Sequence, residues 1–181
     1  MRFHLDVEPE IVGLLSLPCG VVTMTERYGQ PDFSAHDYRT MVSDIEAMLR
    51  PFDKEHNIRD TIARGDAQML GTAGTVTTIA GVHMGLARYN RSIVDGTWLE
   101  FDALESVSRM LVTSNFSERA AHACIGKTRA ELVVAGCGVL EAVGSMWPAG
   151  RLRVADRGVR EGILVALSNS FANRIDTEVI Q

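Results

Sequence analysis

The sequence predicts an α/β domain in which short strands lead into helices through glycine-containing turns. Three observations support this class. Apolar and polar residues alternate near the N-terminus, apolar residues recur at helical spacing after Ser34, and two short apolar runs pass through small residues into helices. A chain of 181 residues is long enough for one domain that buries about 70% of its unfolded surface.

Composition excludes several functional classes. The 18 basic residues are outnumbered by 23 acidic ones, and the formal charge of −5 argues against generic nucleic-acid binding. The apolar stretches are too short to cross a bilayer, and the first residues do not resemble a signal peptide. The cysteines, Cys19, Cys124 and Cys137, have no metal-ligand spacing. We therefore expect a reduced, cytoplasmic protein with no structural metal and no membrane partner.

The N-terminal third is predicted to hold a hairpin and a helix. Residues 3–8 alternate as a half-buried strand does, and residues 11–17 read as a second strand, with a turn at residues 18–20. Ser34 is a good helix N-cap with Asp37 three residues on. The helix behind it carries an apolar stripe and is predicted to stop at Pro51. The stripe consists of Tyr38, Met41, Val42, Ile45, Met48 and Leu49.

The middle of the chain alternates strand and helix. Residues 67–70 predict a short buried strand, the turn Gly71–Thr75 follows, and Val76–Leu86 continues as a helix. Another helix is predicted to start at Asp102. Residues 128–147 are apolar nearly all round, which is typical of a helix that is buried on several sides.

The C-terminal part is predicted to add one strand and one helix. Residues 151–155 read as the strand, and Asp156 is placed to cap the helix that follows. That helix has an apolar stripe that includes Val159, Ile163 and Leu167. Beyond Asn173 we expect fraying, so residues 1–175 are assigned to one domain and residues 176–181 to a frayed tail.

The turn Gly71–Thr75, read as Gly71, Thr72, Ala73, Gly74 and Thr75, can be interpreted in two ways. Its glycines would let the backbone approach a ligand closely, and the amides at the following helix start would favour an anion. A ligand-free bend between two buried elements fits the same residues. The turn is not a P-loop, because no lysine follows its second glycine.

Four arginines near the C-terminus, Arg151, Arg153, Arg157 and Arg160, are a second candidate feature. The planar guanidinium suits phosphate oxygens, but such a cluster is more often a solvated face. Arg160 could equally pair with Glu131 or Glu161.

A glycine pair at Gly136 and Gly138 imitates a dinucleotide-binding turn, with Asp156 at the spacing of a ribose-binding acid. The interpretation fails because Glu141 stands where that turn needs a small residue, and because the preceding residues read as a helix start. Nucleophilic chemistry is also weakly supported, since Ser16 and Cys19 have no nearby histidine. No histidine pair has metal-ligand spacing, and no two carboxylates stand out as a general acid and base.

Taken in order, several blocks of the sequence resemble the exopolyphosphatase / guanosine pentaphosphate phosphohydrolase (Ppx/GppA) family. The similarity runs from about residue 3 to about residue 167. The blocks are Ser16–Tyr28, Gly71–Val82, Val94–Leu99, Arg129–Val143 and Val154–Leu164.

The resemblance implies the actin-like ATPase fold, which has two ribonuclease-H-like lobes with the active site between them. It also implies hydrolysis of phosphoanhydride bonds in polyphosphate or guanosine pentaphosphate with Mg²⁺. The turn Gly71–Thr75 then becomes the glycine turn that faces the cleft. Thr72, Gly74 and Thr75 would contact phosphate or nucleotide, and Arg157 or Arg160 would assist.

The chain resembles the second lobe alone. The first lobe, with its phosphate loop and the glutamate that positions water, has no counterpart here, and neither does the second lobe's first strand with its phosphate loop. We therefore expect no catalytic residue in this chain and no activity from the chain by itself. The missing strand would be central, so we expect that the two halves of the sheet close onto each other or that a second copy of the chain fills the gap. The expected protein partner is the missing N-terminal lobe or that second copy. The alternative is a stand-alone, non-catalytic nucleotide- or phosphate-binding or dimerisation module.

Overall fold

The computed structural model describes residues 10–29, 32–72 and 74–178, with side chains given up to residue 168. Within these ranges, no helix is both long enough and apolar enough to cross a membrane. The helices are α1 (Val21–Tyr28), α2 (Ala35–His56), α3 (Ile58–Ala63), α4 (Gly74–His83), α5 (Arg91–Val94), α6 (Phe101–Thr113), α7 (Phe116–Ala121), α8 (Val133–Met146) and α9 (Val159–Glu178). The strands are β1 (Met69–Gly71), β2 (Trp98–Glu100) and β3 (Arg151–Val154).

The sheet has the strand order β1-β3-β2. β1 runs parallel to β3 with Met69 opposite Leu152, and β2 runs antiparallel to β3 with Leu99 opposite Leu152. Leu99, Leu152 and Val154 point into the core, whereas Leu70 lies on the opposite face and is 56% exposed. No described strand pairs with the free edge of β1, so that edge keeps backbone groups available for pairing.

The core forms around α8, which packs most extensively against α2 and also against α1, α4 and α6. Residues of α8 on several sides are buried, as the sequence predicts. The buried residues of α8 are Val133, Val134, Ala135, Gly136, Cys137, Gly138, Ala142 and Met146. At Gly138, an added Cβ would collide with the side chain of Met41 in α2. Glycine therefore permits the close approach of these two helices.

Several elements lie where the sequence predicts them. Ser34 caps α2 by accepting a hydrogen bond from the Asp37 amide at 3.1 Å, and β3 occupies residues 151–154. Helix α4 begins at Gly74, two residues before the predicted start, and α6 begins at Phe101. Helix α8 begins later than predicted, because residues 128–132 form turns. The elements α1, α3, α5, α7 and β2 have no counterpart in the sequence prediction.

The predicted strand over residues 11–17 is wrong. Residues 10–20 form no helix or strand, and Ile11, Val12 and Leu14 are 82%, 79% and 88% exposed. An alternating or apolar pattern becomes a strand only when a neighbouring backbone pairs with it. No described strand lies beside this segment. The first strand of the predicted hairpin, residues 3–8, lies outside the described residues.

The C-terminal helix also differs from its prediction. Asp156 does not cap α9; its carboxylate accepts a 2.6 Å hydrogen bond from the Tyr89 hydroxyl and pairs with Arg91 at 3.5 Å. Instead, Glu161 accepts from the Gly158 amide at 2.8 Å. The apolar stripe of α9 is exposed, with Val159 at 80%. The helix continues to Glu178, and residues 179–181 lie outside the described residues.

The prediction that α2 stops at Pro51 is wrong, because the helix continues to His56. Two contacts hold the turn after the proline. Phe52 and His56 stack edge to face with ring centroids 4.4 Å apart, and the Trp147 indole donates to Asp53 at 2.8 Å. These contacts offset the backbone hydrogen bond that proline cannot donate.

Replacement of Pro51 by alanine is therefore expected to stabilise the protein. A proline inside a helix costs about 3 kcal/mol, and the greater freedom of the unfolded variant should remove up to about 1 kcal/mol of the gain. We expect urea denaturation to show the free energy of unfolding rising by about 1–2 kcal/mol. The neighbouring Arg50→Ala change should stay within about 0.5 kcal/mol. A less stable P51A variant would contradict this account.

Candidate anion-binding site

A cavity of about 460 Å³ opens at the start of α4, directly after the turn Gly71–Thr75. It lies between α1, α4 and α8, and its volume is within the range of about 300–1,000 Å³ usual for ligand sites. Its lining residues are Cys19, Gly20, Val21, Gly74, Thr75, Val76, Thr78, Arg129, Leu132, Val133, Gly136, Val139 and Leu140.

The N-terminal ends of three helices meet at this cavity. Gly20 and Val21 begin α1, Gly74 begins α4, and Val133 begins α8. None of these helices has an acidic residue in its first turn, and neither Gly20 nor Leu132 caps its helix with a side chain. The positive ends of three helix dipoles therefore lie beside one space, which favours an anion. At α8 the Leu132 and Val133 amides already donate to the Arg129 carbonyl, so this helix contributes its dipole rather than these amides.

Arg129 adds a full positive charge to the cavity wall. One of its terminal nitrogens donates to the Thr78 hydroxyl at 2.9 Å, which fixes the guanidinium against α4. Thr78 is buried, at 1% exposure, whereas Arg129 is exposed. Arg129 forms no ion pair with any carboxylate among the described residues, so the donors it keeps can bind a ligand anion.

The two glycines of the turn serve different purposes. At Gly71 an added Cβ would lie 3.0 Å from Val76 and 3.3 Å from Leu152, so glycine lets β1 lie tightly on the core. At Gly74 an added Cβ would meet nothing within 4 Å. Gly74 therefore leaves the cavity side of the α4 start open, which is the geometry that close approach of a ligand to the backbone requires.

Thr75 lies at the junction of the cavity and the core. An added Cβ on Gly136 of α8 would lie 2.6 Å from the Thr75 hydroxyl oxygen, so Thr75 fits against the bare backbone of Gly136. Thr77, on the next turn, donates to the Gly74 carbonyl at 3.1 Å. These contacts fix the first turn of α4, and with it the direction of the amides at the cavity.

The structure divides the predicted site residues between two places. Gly74 and Thr75 line the cavity, whereas Thr72 and Arg157 line a separate open groove of about 730 Å³ beside α9. The Arg157 guanidinium pairs with Asp95 at 3.0 Å. Ala73 lies outside the described residues. Gly71 is packed behind the turn and lines neither space.

Arg160 is exposed and lines neither the cavity nor the groove. Glu161, one of its possible partners, pairs with Arg91 at 3.4 Å instead. Arg151 and Arg153 lie over the Trp98 ring, 4.3 and 5.2 Å from its centroid. Their place on the sheet agrees with the interpretation of a solvated basic face.

The dinucleotide-binding interpretation was correctly rejected. Gly136 and Gly138 lie inside α8, and turns rather than a strand precede that helix. The Asp156 carboxylate, which would have to bind the ribose, instead accepts a hydrogen bond from the Tyr89 hydroxyl and pairs with Arg91.

The described lining residues of the cavity include no Asp, Glu or His, so these walls offer no general base of those types and no carboxylate ligand for Mg²⁺. No cluster of three or more potential metal ligands occurs within the described part of the chain. Burial raises the pKa of the Cys19 thiol, so at neutral pH this residue is a poor nucleophile.

The sequence interpretation missed Arg129 and the start of α1 as parts of the site. Both lie in blocks that resemble the family, yet no local signal joins them to Gly74, since they are 55 and about 54 positions away along the chain. One clue was available. An arginine at the start of a long apolar segment has little core to enter and must face solvent or a ligand.

Fold and cavity together define an α/β domain in which helix N-terminal ends and Arg129 line one cavity. The family model described as the Ppx/GppA phosphatase family matches residues 5–171. The chain therefore belongs to the Ppx/GppA phosphatase family, whose members are phosphohydrolases.

Solved structures agree with this assignment. The crystal structure of the Aquifex aeolicus family member is similar with a TM-score of 0.73 and 22% identity, over 89% of this chain and 50% of that one. The crystal structure of an exopolyphosphatase from Cytophaga hutchinsonii ATCC 33406 is similar with a TM-score of 0.74 and 21% identity, over 89% of this chain and 51% of that one. The crystal structure of an exopolyphosphatase-like protein has a TM-score of 0.69 and 25% identity, over 84% of this chain and 49% of that one. The chain thus spans about half the length of these relatives. No curated protein matches it.

Gly136→Ala is expected to disturb the cavity through packing. The new methyl group would displace Thr75 and the first turn of α4, and overpacking of this kind typically costs about 1–3 kcal/mol. The better helix propensity of alanine should return up to about 1 kcal/mol of this. We expect urea denaturation to show a net loss of about 1–2 kcal/mol.

Gly162→Ala is the matched control, because an added Cβ there meets nothing within 4 Å. It should cause no loss of stability. Equal stability of the G136A variant and the unchanged protein would show that Thr75 does not depend on this contact.

Proposed function

We propose that this chain is the second lobe of a Ppx/GppA-type phosphatase that hydrolyses phosphoanhydride bonds of polyphosphate or guanosine pentaphosphate. In this proposal the chain supplies one wall of the cleft. The observation that carries it is the meeting of three helix N-termini, without acidic residues, and Arg129 at one cavity. Phosphate oxygens are the anions that such amides and a guanidinium bind best.

The second-lobe assignment specifies the fold further, as a ribonuclease-H-like lobe of the actin-like ATPase superfamily without its first strand. Two features support it. The outer edge of β1 has no strand beside it in the described ranges, which is where a missing central strand would pair. The relatives are also about twice as long as this chain.

Catalysis belongs to the complete protein in this proposal. Phosphoryl transfer depends on positioning the phosphate and on neutralising its charge, and a further group must orient the attacking water. The cavity provides the first two functions through its amides and Arg129. Its described lining holds no carboxylate for the third function or for Mg²⁺, so in this proposal both come from the lobe that faces it.

Phosphate binding can be tested by isothermal titration calorimetry with inorganic tripolyphosphate. Arg129→Gln removes a charge-assisted contact worth about 1.5–3 kcal/mol, so affinity should fall roughly tenfold or more. Gly74→Val should abolish binding, because its side chain would fill the space in front of the α4 amides.

Arg39→Gln is the matched control, since Arg39 is exposed on α2 and the change in net charge is the same. It should leave the affinity unchanged. Equal weakening by R39Q and R129Q would reduce the binding to general charge attraction. The chain alone should release no phosphate from polyphosphate or guanosine pentaphosphate, with or without Mg²⁺, and release would refute the division of labour between lobes.

The surface that would face the missing lobe is unusually apolar. On α9, Val159, Ile163, Leu164 and Val165 are 80%, 53%, 66% and 59% exposed. Val159, Leu164 and Val165 line the open groove with Thr72 and Arg157, and Ile163 is exposed on the same helix. Exposed apolar residues grouped in this way mark a contact with another protein or lobe. In the absence of that lobe, a second copy of the chain can cover the same face.

We therefore expect the isolated chain to self-associate. Size-exclusion chromatography with light scattering should give a mass that rises with concentration. The double variant Ile163→Glu, Leu164→Glu should shift it to a monomer, because two charges cannot be buried in an apolar contact without partners. The charge-matched control is Arg59→Glu, at an exposed position of α3, which makes the net charge more negative by the same amount and should leave the mass unchanged. A clean monomer of the unchanged chain at high concentration would exclude the second copy.

A further inference from the structure

A second cavity, of about 390 Å³, lies between the start of α6 and the end of α8. It shares no lining residue with the anion-binding cavity, and its size is within the range of about 300–1,000 Å³ usual for small-molecule sites. Its lining residues are Phe101, Asp102, Leu104, Glu105, Ser108, Glu141, Gly144, Ser145, Pro148 and Gly150.

Three of these residues, Asp102, Glu105 and Glu141, carry carboxylates, and none of the lining residues that the structure describes is basic. The Glu105 carboxylate forms an ion pair with the Arg109 guanidinium at 2.5 Å. One oxygen of Glu141 accepts a 2.8 Å hydrogen bond from the Tyr38 hydroxyl. Asp102 forms no ion pair or hydrogen bond with the rest of the described chain. The walls therefore carry a net negative charge, which favours a cation.

The end of α8 adds to this negative potential. Gly144 and Ser145 lie in its last turn, where backbone carbonyls have no partner within the helix. The last turn has no basic residue, so nothing on the helix balances the negative end of its dipole. The N-terminal end of α6, which carries the positive end of its dipole, also borders this cavity. The Asp102 carboxylate in the first turn of α6 offsets that positive potential.

An unsatisfied polar group points independently to a ligand. Ser108 is 2% exposed, and its buried hydroxyl oxygen forms no hydrogen bond with a described nitrogen or oxygen. The Cys137 thiol, a weak hydrogen-bonding partner, faces it. Buried hydroxyl groups normally have a stronger partner, and a ligand N–H in this cavity would supply one.

We propose that this cavity binds an aliphatic ammonium, such as one end of a diamine. The ammonium group lies near Asp102 and Glu141 and donates towards Ser108, and its methylene chain lies along Phe101, Leu104 and Pro148. The apolar wall distinguishes this ligand from a bare metal ion. The described residues contain no cluster of three ligands that could coordinate a metal.

Titration calorimetry with 1,4-diaminobutane tests the proposal, with sodium chloride at equal ionic strength as the reference titration. The unchanged protein should bind one equivalent saturably. Asp102→Asn should weaken binding at least tenfold, and Ser108→Ala should weaken it severalfold without loss of fold, since the residue gives up no strong hydrogen bond.

Asp60→Asn is the matched control, because Asp60 is also an exposed aspartate in the first turn of a helix. It should bind diaminobutane as the unchanged protein does, and so should Arg129→Gln, which alters the other cavity. The proposal is overturned if binding is not saturable, or if Asp60→Asn weakens it as much as Asp102→Asn.

Discussion

The burial of α8 is the constraint on which the rest of the structure depends. A helix with apolar residues on several sides cannot be stable in water, because each exposed side would forgo the free energy of about 25 cal/mol per Å² that burial provides. The chain covers it with α1, α2, α4 and α6. Glycines make the close contacts possible. Gly136 accommodates Thr75, Gly138 accommodates Met41, and Gly144 accommodates the ring of Phe101.

The same helix also connects the two cavities. Its N-terminal end, with Arg129 just before it, contributes to the anion-binding cavity, and its C-terminal end contributes to the acidic cavity. The dipole of α8 therefore supports opposite ligand charges at its two ends. Both cavities lie at the ends of one buried helix. The direction in which α8 runs through the core therefore decides which cavity receives the positive end of its dipole and which the negative end.

Much of the fold was predictable where the signal is local. The Ser34 cap, the burial of α8 and the strand before Asp156 each depend on residues within a few positions, and all three were confirmed. The errors came from interactions that sequence spacing does not contain. Residues 11–17 lack a strand to pair with, and Pro51 is tolerated because Trp147, far along the chain, holds the turn that follows it.

The site divides along the same line. The turn at Gly74 was recognisable, since small residues between a strand and a helix are a local pattern. Arg129 and the start of α1 line the same cavity as Gly74 because the helices pack together there. The spacing of residues along the sequence could not predict this. Thr72 and Arg157 lie elsewhere, in the open groove beside α9. Proximity to the turn in sequence, or a basic side chain, did not bring them into the cavity.

The shortness of β1 has a consequence for whatever aligns with its open edge. Three residues offer only a few main-chain donors and acceptors, so a strand placed there could shift by two residues with little change in pairing. Correct alignment must then be dictated by side chains on the flanking surfaces. The choice of pairing register at this edge would therefore depend on shape complementarity and apolar side-chain contacts. The backbone hydrogen bonds would contribute little to it.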